Sequence, residues 1–169
     1  EKALSKVGAI IESPVFFDYM TGRQVLRNLS RLHSEIKSSA REKHIEELLR
    51  RVGLESRGDD KVKAYSLGMK QRLGIAQSML GSPELLLLDE PSNGLDPMGM
   101  RELRDIILRL RDSDNYAFFI SSHLLDELQQ MCDELIVIKE GTLVWKGPAD
   151  QLVEEGQRLE DAFIGLMGL

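Results

Sequence analysis

Cysteine occurs once in the 169 residues, at Cys132, so neither an internal disulfide nor a cysteine-built metal cluster is open to this chain, and a reducing compartment fits it best. Long apolar runs are missing too. The longest aliphatic stretch covers residues 85–88, far short of the roughly 20 needed to cross a bilayer, and no charged-then-apolar leader opens the sequence. An excess of positive charge is also lacking: 22 Lys and Arg against 28 Asp and Glu leave a net charge of −6, which argues against a protein that coats duplex nucleic acid by neutralising phosphates. No glycine is followed by lysine, and no two glycines are separated by a single residue, so the usual glycine cradle for phosphates is absent. Internal repeats and low-complexity tracts are absent as well. What is there is a globular composition, 42% apolar, with 51 residues of Leu, Ile, Val and Phe to build a core. The reading is a soluble, cytoplasmic chain with no nucleic-acid partner. It opens on Glu1 without methionine, close to a strand-like stretch, and so reads as a piece of a longer protein.

Periodicity makes residues 7–11 a strand and the turn-rich stretch to Met20, with Pro14, a loop. Thr21 is placed to cap a helix with apolar positions Val25, Leu26, Leu29 and Leu32. A second helix carries Ile45, Leu48, Leu49 and Val52 and stops at Gly53, with the polar residues 34–43 as connection. Ser66 caps a third helix running towards Leu80, and residues 85–88 form a buried strand that ends in Asp89 and Glu90. Asp96 before Pro97 reads as an N-cap with proline in the first turn, followed by the stripe Met100, Leu103, Ile107 and Leu110. Strand and helix then repeat, with residues 116–121 as strand, Ser122 as cap, and Leu124, Leu125 and Leu128 as a helix face. Residues 135–138 are a further strand, turned by Glu140-Gly141 into 142–145, and Gly147-Pro148 opens a C-terminal pair of helices. The alternation predicts an α/β fold with a mostly parallel sheet covered on both faces.

Leu85 to Leu88 delivering Asp89 and Glu90 at a strand end is the pattern of a Mg-nucleotide site, in which the first acid orients the cation and the second polarises water. Strand-end acids are also common loop residues, so the context decides. Upstream stands Tyr65-Ser66-Leu67-Gly68-Met69-Lys70-Gln71-Arg72; downstream come Pro91-Ser92-Asn93-Gly94-Leu95-Asp96 and then Ser121-Ser122-His123. In this order the motifs resemble the ATP-binding subunit of ABC transporters, from about residue 7 to the end. Within that family they resemble the branch that exports bacitracin-type and lantibiotic-type peptides or other drugs. The resemblance makes residues 66–72 the signature motif, 85–89 the Walker B strand, Glu90 the catalytic glutamate, 92–96 the D-loop, His123 the switch histidine and Glu12 the Q-loop position. It implies ATP and Mg²⁺ as cofactors, with Asp89 and Glu12 on the metal and Glu90 and His123 catalytic. Ser66, Gly68, Gln71, Asp96 and Glu12 are then nucleotide contacts, Ser66 and Gly68 facing the γ-phosphate held by a partner subunit. Two partners follow from it, a second ATP-binding subunit and a transmembrane permease subunit that presses on residues 12–20 and the helices of 21–52 from the membrane's inner face.

Three positions depart from the family pattern: Leu67 replaces the first signature glycine, Met69 the signature glutamine, and Glu12 the Q-loop glutamine. Ser66 and Gly68 remain, and a carboxylate at 12 still offers an oxygen to a cation. In the family the Walker A strand, loop and helix precede the segment at Val7, so the expectation is an N-terminally truncated P-loop NTPase core, inactive alone. Its parts are residues 1–20 as Q-loop strand and loop, 21–80 as helical subdomain, and 81–169 as the remaining core. The resemblance also puts the Walker A strand between 116–121 and 135–138. Strand 135–138 then lacks a neighbour, and pairing with another chain is expected over sliding against 116–121 or leaving a gap. Two other functional classes stay open, a non-catalytic interaction fragment and a soluble ABC ATPase acting on ribosomes or DNA; the acidic balance counts against the second. Plainer readings give Gly94 a turn, His33 and His44 solvent, Met98, Met100 and Met131 gap filling, and Glu154, Glu155, Glu160 and Asp161 a solvated helix face.

Overall fold

A computed structural model of the chain describes residues 4–152 and 159–167. It divides into two compact units, residues 1–121 and 122–169. In the first, β1 (Val7–Ile10), β2 (Leu85–Asp89) and β3 (Ala117–Ser121) form a parallel sheet in that order. Gly8, Leu86 and Phe118 stand in one row and Ile10, Leu88 and Ile120 in another on the same face, where Leu86 and Leu88 are fully buried. Helix α3 (Leu67–Ser78) packs on β1 at backbone distance: a Cβ on Gly8 would lie 2.1 Å from the Ser78 carbonyl oxygen, and one on Gly74 would lie 2.9 Å from Pro14. On the opposite face Ala9, Leu87 and Phe119 line up, and Phe119 is 53% exposed. Among the described residues the sheet is therefore covered on one face, where the alternation of elements predicts two.

Thr21 caps α1 (Gly22–Leu29) with a reciprocal box: its hydroxyl accepts from the Gln24 amide (3.1 Å), and Gln24 Oε1 accepts from the Thr21 amide (2.9 Å). Arg23 and Arg27 reach Glu46 and Glu42 on α2 (Arg41–Arg51), which buries Ile45, Leu48 and Leu49 and turns off at Gly53 with φ +66°. Glu47 on the same helix accepts from Arg50 and Arg51, which hold its carboxyl down to about 2. The expected α1 stripe breaks at its end. The α-helix stops at Leu29 and tightens into a 3-10 turn, Ser30–Leu32, whose shorter period buries Ser30 and leaves Leu32 80% exposed. Residues 41–43 belong to α2 and not to the connection. His44 is half-buried, its Nε2 3.0 Å from the Leu80 carbonyl oxygen, and His33 lies beside Gly81, so neither is simply solvated. Helix α4 (Pro97–Asp114) buries Leu103, Ile106, Ile107 and Leu110; Met100 is half-buried and Met98 exposed, so Met98 fills no gap.

The second unit holds α5 (Leu125–Met131), β4 (Glu134–Lys139), β5 (Thr142–Pro148) and α6 (Leu159–Met167). Glu140 (φ +49°) and Gly141 (φ +75°) make the two-residue turn of the β4–β5 hairpin. Leu135 and Val137 are buried in company with Leu128, Met131 and Leu159, whereas Ile136 and Ile138 on the other face of β4 are exposed. Ser122 does not occupy the N-cap position of α5, which falls to Leu124; its hydroxyl accepts from the Leu124 amide at 3.1 Å. Of the expected C-terminal helix pair the structure has a 3-10 turn, Ala149–Gln151, and α6, while Glu154 and Glu155 lie outside the described residues. Among the described residues, β4 pairs with β5 and β3 with β2, each within its own unit.

Candidate functional site

Strand β2 runs straight into a sharp reversal. Asp89 accepts a hydrogen bond from the Ser121 hydroxyl, and the Glu90 amide donates to the Ser121 carbonyl (3.0 Å), so both acids are fixed to the end of β3. Glu90 takes a left-handed conformation, φ +46°, which a non-glycine residue adopts at a cost of order 1–3 kcal/mol. The chain then turns through the Asn93-to-Glu90 and Leu95-to-Ser92 backbone bonds, buries Ser92, and passes Gly94 at φ +75°. Asp96 ends the reversal by capping α4, its Oδ1 accepting from the Gly99 amide at 2.8 Å.

Beside this turn, Ser66 caps α3 by accepting from the Met69 amide at 3.2 Å. Two helix starts thus meet at one groove of about 350 Å³, lined by Ser66, Leu67, Gly68, Gly94, Asp96 and Gly99 among others. The amides of Leu67 and Gly68 on α3 and of Met98 on α4 precede the first intrahelical bonds and are left over by the caps. Both macrodipoles point their positive ends into the same space, an arrangement that favours an anion such as phosphate. Arg72 of α3 and Glu102 of α4 pair at 3.4 Å and tie the two helices together at the groove's edge.

The family model for ABC transporters matches residues 1–93, more than half of the chain. The chain belongs to the ABC transporter ATP-binding family. It is 47% identical over 143 residues to an uncharacterized ABC transporter ATP-binding protein, YdbJ, of Bacillus subtilis, covering 85% of this chain and 45% of that protein. A bacitracin transport ATP-binding protein, BcrA, of Bacillus licheniformis is 40% identical over 158 residues, 94% of this chain and 50% of the relative. A lantibiotic transport ATP-binding protein, SrtF, of Streptococcus pyogenes is 39% identical over 160 residues, 95% of this chain and 66% of the relative. Among solved structures, cbiO1 from Clostridium perfringens, part of the ABC transporter complex cbiONQ, superposes with a TM-score of 0.82 at 26% identity, over 89% of this chain and 60% of that one. The chain spans about half the length of the curated relatives it matches.

Of the residues expected to form the site, Ser66, Gly68 and Asp96 share the groove, while Asp89 and Glu90 share the end of β2. Glu12 is not among the groove's lining residues; it lies exposed two residues beyond Ile10, the β1 partner of Leu88, in a left-handed conformation with φ +57°. Gln71 is not among the groove's lining residues: it is 1% exposed, and neither its amide nitrogen nor its amide oxygen has a hydrogen-bond partner among the described residues. His123 belongs to the second unit, where it lines a largely apolar hollow of about 320 Å³ with Leu125, Leu135 and Phe163. Gly94 and Leu95 fall in the stretch expected as the D-loop, whereas sequence reasoning missed Met98, Gly99 and Glu102 as groove residues. The signal available was the pair of glycines on either side of Asp96, of which Gly94 reads as a turn and Gly99 is not singled out. Among the described residues, no helix is long and apolar enough to cross a membrane.

Proposed function

We propose that the protein is the ATP-hydrolysing subunit of an ABC exporter for an antimicrobial peptide or another drug. One observation carries this reading: the short segment 89–96 joins a strand-end pair of acids to a groove formed by two helix starts, so one turn serves both a hydrolytic centre and an anion seat. The bacitracin and lantibiotic relatives support the class of cargo. Asp89, held by the Ser121 hydroxyl, offers a carboxylate of the kind Mg²⁺ takes alongside phosphate oxygens and waters, and Glu12 is the second candidate oxygen. Bound Mg²⁺ would neutralise charge on the phosphates. Glu90 accepts a proton from the attacking water or orients it. His123 donates to the γ-phosphate. Ser66 and the free amides of the groove donate to the phosphates of a nucleotide carried by a second ATP-binding subunit, with Asp96 at the same seam. Gln71 takes no part in these contacts unless its side chain leaves the interior.

A permease subunit docks on the loop after β1 and on α1. Ile11, Val15, Phe17 and Tyr19 are all exposed there, Val15 by 93%, beside a hollow lined by Tyr19, Gln24, Arg27 and Arg31. The reading is tested on the whole product of the gene. Glu90→Gln is expected to cut ATP turnover by about 100-fold or more while nucleotide binding persists, because the amide keeps the shape and loses the proton acceptor. Wild-type turnover in that variant would overturn the assignment.

A further inference from the structure

Leu67 and Leu95 each cover a glycine on the other's element. A Cβ built on Gly94 would stand 3.2 Å from Leu67 Cδ2, and one built on Gly68 would stand 3.8 Å from Leu95 Cδ2. The first residue of α3 thus lies over the D-loop glycine, and the D-loop leucine lies over the second residue of α3. Gly94 sits at φ +75°, where glycine is also required by its backbone. Leu67 remains 41% exposed and is not one of the buried core residues, so little of the fold's core depends on it. Below the crossing, the Arg72–Glu102 pair fastens the same two helices a second time.

We infer that Leu67 is a positioning residue that locks the signature helix and the D-loop into one rigid face, so that the two halves of the groove engage an incoming phosphate together. Position 67 carries a glycine in the usual family pattern, and a glycine there would have no side chain to make this contact. Ser66 and the amides of Leu67 and Gly68 stand on one side of the crossing, Asp96 and the Met98 amide on the other. With Leu67 removed, each side explores its own positions, and productive geometry for both at once becomes rarer. The cost falls on the step in which the groove closes on a nucleotide, and binding of ATP to a single subunit is untouched.

The inference rests on the reading of the groove as a seat for a partner's phosphate, and the two are separated by measuring the wild-type gene product first. ATP turnover without response to Ser66→Arg would remove the groove reading; turnover that responds to Ser66→Arg but not to position 67 would remove only the lock. Leu67→Gly is expected to lower kcat about tenfold with KM for ATP changed less than about twofold, and Leu67→Met to stay within about twofold of wild type in both. Gly94→Ala should also lower kcat, through its contact with Leu67 and its backbone strain. Adding Leu67→Gly to Gly94→Ala should lower kcat by less than the product of the two single effects, since both act on the one contact. A strictly additive double variant, or a Leu67→Gly enzyme with wild-type kcat, would contradict the lock.

Discussion

Gly68 has room for a methyl group and Gly94 does not, a contrast that separates what folding needs from what a ligand needs. A Cβ at Gly68 would meet Leu95 Cδ2 at 3.8 Å and the Gly99 Cα at 4.0 Å, ordinary contact distances, inside a helix where alanine is favoured by about 0.5–1 kcal/mol. Nothing within the subunit asks for glycine there. Gly68→Ala is therefore expected to leave the melting temperature of the gene product unchanged or slightly raised and yet to reduce ATP turnover, because on the proposed reading a partner's phosphate uses the space. Melting and turnover measured on one preparation check this. Unchanged turnover would contradict the groove's role, and parallel loss of stability and turnover would contradict the claim that the space is free. At the same scale, Glu90 and Gly94 both hold left-handed backbone on either side of buried Ser92, so the reversal that brings acids and groove together has two special conformations in five residues.

Elements repeat this division. Gly8 and Gly74 let α3 lie on β1 and on Pro14 at a distance no larger residue permits, so the helix that carries the signature start is positioned from its far end by backbone contact. Gly8→Ala would drive a methyl group to 2.1 Å from the Ser78 carbonyl oxygen, with Leu86 Cδ2 at 2.8 Å and no flexible side-chain end to yield at the carbonyl. The expected cost is about 2–4 kcal/mol of folding stability, read by denaturant titration of the chain, and a loss under about 0.5 kcal/mol would contradict the packing described. Much at this scale was legible in the sequence. Thr21, Ser66 and Asp96 act as caps because each puts a short side-chain acceptor before an apolar helical period, and Glu140-Gly141 turns the hairpin because Gly141 takes positive φ without cost beside the left-handed Glu140. The misses have physical causes. Leu32 fits the helical period but falls after α1 has tightened to a 3-10 turn, and Met98 follows Pro97 onto the groove side, where no core awaits it. The crossing of Leu67 with Leu95 joins residues 28 positions apart, and no local period announces it.

For the whole molecule, the two functional halves of the chain differ in what they lack. The groove is complete in its two helix starts, but the 169 residues hold no Gly-Lys loop to cradle the phosphates of a nucleotide on Asp89 and Glu90. This chain by itself is therefore expected to bind Mg-ATP weakly, and titration calorimetry giving a low-micromolar Kd would contradict that. Among the described residues, the face carrying Phe119 is uncovered and β3 ends the sheet, and pairing with another chain remains the proposed way to close it. The central claim is that the groove of Ser66, Gly68 and Asp96 closes on a nucleotide held by a second subunit. Sedimentation velocity of the Glu90→Gln gene product, with and without Mg-ATP, tests it most directly when the same run is made on Glu90→Gln combined with Ser66→Arg. The account predicts a nucleotide-dependent dimer for the first and a nucleotide-loaded monomer for the second; a Ser66→Arg protein that dimerises as before, or that loses ATP affinity as a monomer, would contradict it.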